Sequence, residues 1–240
     1  MQARRSLILK VAAVVLILLV GFAVVRWAAG VDRLPLAKNF GQTAIADQTI
    51  LIGNGRVAFG DIGAPVSVVG FFDLSSQKLG EAHRALIRLI GETQNSMGQN
   101  KIYFVWRHFP NEGKGQAVAA AKALEAARIL GKFDKMADLL ISRRSEWVAG
   151  SGDQIFISYA RELGLDEELF REKISVSADA LAGDVSAGKQ IKVPAGGAIF
   201  INGKPVARPT YEILKKEIDR LPWPNPSPTP EAGEATEEGR

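Results

Sequence analysis

Apolar residues are spaced in three different ways along this chain, and each spacing predicts a different kind of element. Near the start, Leu7 to Val25 is apolar throughout except for Lys10, and the uninterrupted part, Val11 to Val25, is 15 residues long. That length suits a secretory signal or a short membrane span, with Arg4 and Arg5 on the inner side and Trp27 at the far interface. Short β-branched and aromatic runs come next. Thr49–Ile52 and Arg56–Phe59 flank Gly53-Asn54-Gly55, a pattern that predicts a β-hairpin. Val66–Phe72 and Lys101–Trp106 read as buried strands, and Ala198–Ile201 with Lys204–Ala207 as a hairpin turning at Asn202-Gly203.

Helical spacing occupies the rest. Leu79, Ala82, Leu86, Leu89 and Ile90 share one face of a helix that starts with Ser75 or Ser76 as N-cap. The polar stretch Gly91–Asn100 reads as turns. From Gly115 to about Gly183 the chain reads as helical, in segments 117–130, 133–141, 153–164 and 166–182, with Asp166 as an N-cap. A closing amphipathic helix covers Tyr211–Leu221. Since a single helix separates the strands at 66–72 and 101–106, they form a βαβ unit with a parallel crossover.

The elements therefore divide into a membrane or signal helix (1–30), a linker (31–46), a hairpin plus βαβ half (47–114), a helical insertion (115–185) and a ββα half (186–221). A Pro/Glu tail (222–240) follows, with prolines at alternate positions from Pro222 to Pro230, a composition that cannot bury a core.

Charge and composition narrow the functions. The net charge is +4, but residues 1–38 carry six cations against one acid and the tail carries four Glu against one Arg. The basic balance belongs to the leading segment rather than to a nucleic-acid face, so no nucleic-acid partner is expected. The chain has no cysteine, which excludes disulfides, thiol catalysis, iron–sulfur clusters and cysteine-bound zinc. Two histidines, His83 and His108, do not make a metal site by themselves, and neither a metal nor another cofactor is expected.

Six local stretches, in order over residues 57–220, resemble the DsbA family of extracytoplasmic thiol–disulfide oxidoreductases. They are Gly60-Asp61-Ile62-Gly63-Ala64-Pro65-Val66, Phe72-Asp73-Leu74, Arg107-His108-Phe109-Pro110, Gly131-Lys132-Phe133 with Met136 and Leu139-Leu140, Tyr159-Ala160 with Leu163-Gly164-Leu165-Asp166, and Phe200-Ile201-Asn202-Gly203-Lys204. The resemblance implies an α/β thioredoxin-like fold with an inserted helical domain.

It also implies where the chemistry of such a protein would sit, and there the residues depart from the pattern. Ser76-Gln77-Lys78-Leu79 stands where the family has Cys-Pro-x-Cys, Gly196-Gly197 where it has Thr-cis-Pro, and Gly70 where it has a buried acid. A helix N-terminus lowers a thiol pKa into a useful range, but a serine hydroxyl there stays far too basic, and oxygen does not exchange with disulfides. A cis bond before glycine costs about 2.5–4 kcal/mol, so a remodelled loop is expected at Gly196-Gly197.

These departures predict a redox-inactive relative, held at the membrane by residues 7–25 with its folded part on the extracytoplasmic side, or secreted if the leading helix is cleaved. Its role would be binding, scaffolding or chaperone-like work on an envelope or membrane protein or peptide. The candidate groove comprises Ser75, Ser76, Lys78, Gly196 and Gly197. Two other readings stay open. One is a non-redox enzyme using Ser76, as in the kappa-type glutathione transferases; the other is partnership with a cysteine-bearing relative. A Ser76–His83 dyad fails, because seven residues along one helix span about 10 Å and a nucleophile–base pair needs roughly 3 Å.

Overall fold

A computed structural model describes residues 46–53, 57–97, 101–114, 116–150 and 152–221. The leading apolar segment, the linker up to residue 45 and the Pro/Glu tail lie outside the described residues. No helix among the described residues is long and apolar enough to cross a membrane.

The first element is α1, Gln48–Ile52, and it differs from the expected hairpin. The Asp47 carboxylate accepts the Thr49 N–H, and Gly53, at φ 55°, closes the turn with its N–H on the Thr49 carbonyl. A β-branched run therefore coils, because a cap at one end and a positive-φ glycine at the other outweigh weak strand propensity. Burial completes the choice: Leu51 is fully covered by the sheet it lies on. Of the expected hairpin, β1 (Val57–Phe59) forms and pairs with β3 rather than with its neighbour in sequence.

β2 (Val66–Phe72) feeds α2 (Gln77–Met97), which returns to β3 (Ile102–His108). β2 and β3 run parallel with Val66 opposite Ile102 and Phe72 opposite His108, as the βαβ reading requires. α2 extends through the stretch expected to turn. Its last turns are held from outside by the Tyr211 hydroxyl bonding Glu92 and by the Arg88 guanidinium 4.6 Å from the Tyr211 ring centre.

Six helices follow: α3 (Ala117–Ile129), α4 (Phe133–Ser142), α5 (Arg144–Val148), α6 (Gln154–Glu162), α7 (Glu167–Val176) and α8 (Ala178–Gln190). Asp166 caps α7 by accepting the Leu169 N–H, as expected. The helical region runs past residue 185 to Gln190, so the expected boundary falls inside α8, which packs onto the sheet through Ala187. β4 (Gly197–Ile201), β5 (Lys204–Pro205) and α9 (Tyr211–Asp219) complete the chain.

The strands form one sheet in the order β1-β3-β2-β4-β5, with β2–β3 parallel and the other pairs antiparallel. Side chains alternate between its faces, and both faces are buried. Val66, Val68, Phe72, Phe104, Trp106, Ile199 and Ile201 face α2, α9 and the insertion. Val69, Phe71, Tyr103, Val105 and Phe200 face Leu51, Val193 and α8. The insertion has its own aromatic centre, where buried Trp147 donates its indole N–H to the Leu140 carbonyl at 2.8 Å.

Candidate functional site

The turn between β2 and α2 is built by Asp73. Its carboxylate accepts the Ser75 N–H and its carbonyl accepts the Ser76 N–H, both at 2.9 Å. The Ser76 carbonyl then takes the first helical bond, from Gly80 at 3.1 Å, so Ser76 holds the N-cap position as expected. The insertion grips the turn from outside: Arg144 Nε donates to the Ser75 carbonyl at 2.7 Å. No feature of the local sequence marks Arg144, because the contact joins residues 69 apart.

The four positions at the start of α2 differ in accessibility. Ser76 is half-buried, Gln77 and Lys78 are exposed, and Leu79 is buried. Leu79 points inward to Gly197: a methyl group placed on Gly197 would lie 2.4 Å from Leu79 Cδ1 and 2.0 Å from the Phe71 carbonyl oxygen. No cis peptide bond occurs among the described residues, and Gly196 and Gly197 take φ of 96° and 94°. Bare backbone thus lines this loop at Gly196 and Gly197, and the Leu79 side chain lies against Gly197. Of the candidate groove residues, Ser75 and Gly197 are buried, Gly196 and Ser76 are half-buried, and Lys78 is open to solvent.

Gly70 is likewise covered by an apolar side chain. A side chain there would collide with the Phe72 ring, whose Cε2 lies 2.0 Å from the would-be Cβ. Phe72 folds over the bare glycine and stacks on Trp106, with ring centres 4.1 Å apart and planes 15° apart. The sequence does carry a signal for this. Gly70 and Phe72 share one face of β2, and an aromatic two residues from a strand glycine covers it.

Beneath this pair sits His83, on α2 one turn beyond Leu79. Its ring meets Phe72 and Trp106 edge-on at 5.6 and 5.0 Å. Burial, and secondarily the charge of Arg84, lowers its pKa from 6.5 to about 4. Its Nδ1 has no hydrogen-bond partner, nor do the Asp73 Oδ2 and Ser75 Oγ atoms nearby in the turn.

His108, at the end of β3, is held in a buried hydrogen-bond network. The indole of Trp106 can only donate, so His108 Nδ1 accepts from it at 3.3 Å and Nε2 carries the proton toward Glu125 Oε2 at 3.4 Å. Glu125 is held in turn by a two-pronged contact from Arg128, at 2.9 and 3.1 Å. Next to it, Arg107 pairs with Asp184 at 3.0 Å, and Asp184 also takes the His108 backbone N–H. The Arg-His pair quoted in the sequence resemblance is thus a buried ionic joint between sheet and insertion.

No group of three or more His, Cys, Asp or Glu suited to a metal occurs among the described residues.

Residues 53–220 match the protein family described as Thioredoxin. The chain belongs to this family. Within it the fold is that of the DsbA-like members. A thioredoxin-like oxidoreductase from Silicibacter pomeroyi superposes with a TM-score of 0.59, at 21% identity, over 73% of this chain and 97% of that one. The α-DsbA1 protein of Wolbachia pipientis superposes with a TM-score of 0.57, at 17% identity, over 68% of this chain and 88% of that one. Among curated relatives, the Na(+)/H(+) antiporter NhaA 3 of Salinispora tropica is 32% identical over 144 residues, covering 59% of this chain. The match spans 21% of the antiporter's length. The present thioredoxin-family member, with no cysteine, keeps the architecture without the sulfur.

Proposed function

We propose that this protein is a redox-inactive, membrane-anchored DsbA-like domain that binds a protein or peptide partner on the extracytoplasmic side. One observation carries the reading. At the positions where the resemblance implies the resolving cysteine, the cis-proline and the buried acid, this chain has packed apolar contacts: Leu79 over Gly197, and Phe72 over Gly70. An oxygen at position 76 cannot form or break a disulfide, and Leu79 offers no resolving group.

The anchor would be residues 7–25, and an envelope or membrane protein its partner. Support for a membrane-associated partner comes from the curated relatives, in which the matching stretch makes up about a fifth of chains named as ion antiporters. The exposed part of the site, Ser76, Gln77 and Lys78, is where contact is proposed.

Two assays test the two halves of the proposal. Insulin reduction and scrambled-ribonuclease refolding with the purified chain should stay at the buffer rate; turnover above it overturns the inactive reading. Photocrosslinking in native membranes from a residue placed at Ser76 should capture a discrete partner that a probe on the outer face of α7 does not. Equal capture from both positions overturns the assignment of the site.

A further inference from the structure

His83 is the one histidine the ionic joint does not use, and its surroundings suit only its neutral form. It lies on α2 with 4% of its surface exposed. β2 presents Phe72 to it and β3 presents Trp106 and Phe104, the last with its ring centre 6.4 Å away. Phe133 of α4 closes the far side of Trp106 at 5.3 Å.

The ionisable groups on those elements are Asp73 at the end of β2, Tyr103, Arg107 and His108 on β3, and Asp134, Lys135 and Asp138 on α4, and none of them bonds to His83 Nδ1. The charged neighbour that acts on it is Arg84, of the same sign as an imidazolium. Nδ1 has no acceptor to receive a second proton's hydrogen bond. Protonation would therefore place a cation edge-on to aromatic rings, with a like charge beside it and no carboxylate bonded to it.

The contacts along α2 are uneven. Its C-terminal half is tied to α9 by the Arg88, Glu92 and Tyr211 cluster. Its N-terminal half sets Leu79, Ala82 and His83 against the sheet and Gly80 against Ile141 of α4, with the Arg144 bond to the Ser75 carbonyl at its start.

We propose that His83 is an acid-sensitive pin: its protonation releases the N-terminal half of α2, so that the β2–α2 turn opens ahead of the rest of the fold as pH falls. Opening would uncover Phe72, Phe104 and Trp106, a ready surface for an apolar peptide segment. The inference rests on the fold and the packing, and stands whether or not the domain is a binding module.

The sign follows from linkage. The unfolded chain takes up the proton near pH 6.5 and the folded chain only near 4, so stability falls between those values as pH falls and is unaffected above them.

The test is urea denaturation of the full chain at about pH 7.5 and about pH 5, for the wild type and His83→Phe, where the wild-type folding constant should drop by about 30-fold more than that of the variant. Hydrogen exchange corrected for intrinsic rate should show residues 77–86 losing protection at the lower pH while residues 102–108 keep it. Equal pH dependence in the two proteins, or parallel loss of protection in both segments, overturns the proposal. Should His83→Phe not fold, NMR titration of the wild-type imidazole decides. A midpoint well below 6 supports the pin, and one near 6.5 overturns it.

Discussion

Two ends of adjacent parallel strands meet the rest of the molecule differently. At the end of β3, Arg107 and His108 are joined through Asp184, Glu125 and Arg128 to α8 and α3, in ionic and hydrogen-bonded contacts. At the end of β2, Asp73 Oδ2, Ser75 Oγ and His83 Nδ1 are buried without partners, and apolar side chains fill the space around them. The first end is a finished structural joint. The second is a strand-to-helix turn in which apolar contacts sit beside polar atoms that have no partner. Buried polar atoms cost stability when alone and little when mutually satisfied. The two ends should therefore respond in opposite ways to substitution.

The largest effect is expected at the joint. Asp184→Ala removes the buried carboxylate that pairs with Arg107 and accepts the His108 N–H, and should lower unfolding free energy by about 3–5 kcal/mol in urea melts. A loss near zero would mean that the joint is no more than a solvated ion pair.

At the turn, the acid response comes next. Because the folded His83 pKa is lowered from 6.5 to about 4, acidification across that window should cost roughly 3 kcal/mol, recovered fully on return to neutral pH. A pH scan of the denaturation midpoint measures it, and His83→Phe should flatten the curve.

Gly197→Ala should then cost about 2–4 kcal/mol, since its methyl group meets the Phe71 carbonyl and Leu79 at positive φ. Gly196→Ala has the same φ problem but open space, so about 1 kcal/mol is expected. Thermal melts of the pair sharpen the point, because equal losses would show that Leu79 does not press on Gly197.

The smallest effect is at the residue in the nucleophile's place. Ser76 caps α2 through its backbone carbonyl, so Ser76→Ala should change stability by less than about 0.5 kcal/mol. Asp166→Ala, which removes a side-chain cap bond, should cost about 1 kcal/mol in the same melts.

Much of this was legible from residue spacing. Val66–Phe72 and its partner 101–106 read as parallel core strands because both faces of the sheet are covered, which makes their runs continuously apolar. Asp166 and the β2–α2 turn were legible because caps act over three residues or fewer. The hairpin expected at 49–59 does not form, because β-branched residues at 49–52 coil when Asp47 and Gly53 supply both caps and Leu51 finds a buried place. The turn expected at 91–100 is instead helix as far as Met97, since Tyr211, more than a hundred residues away, stabilises its polar face. The accessibility of Ser75 was not legible either, because α5 covers that turn through Arg144.

Sequence alone determined the architecture and the loss of sulfur chemistry. Composition states the absence of cysteine outright, and the order of periodic segments admits few topologies. Tertiary structure alone decided what took the place of that chemistry. Whether Leu79 points into a groove or closes it, and whether Phe72 covers Gly70 or faces solvent, depends on atoms that the chain brings together from β2, α2, β3 and β4. The same holds for the two histidines. Their different settings, one paired within an ionic joint and one held neutral among aromatic rings, come from neighbours that no local pattern specifies.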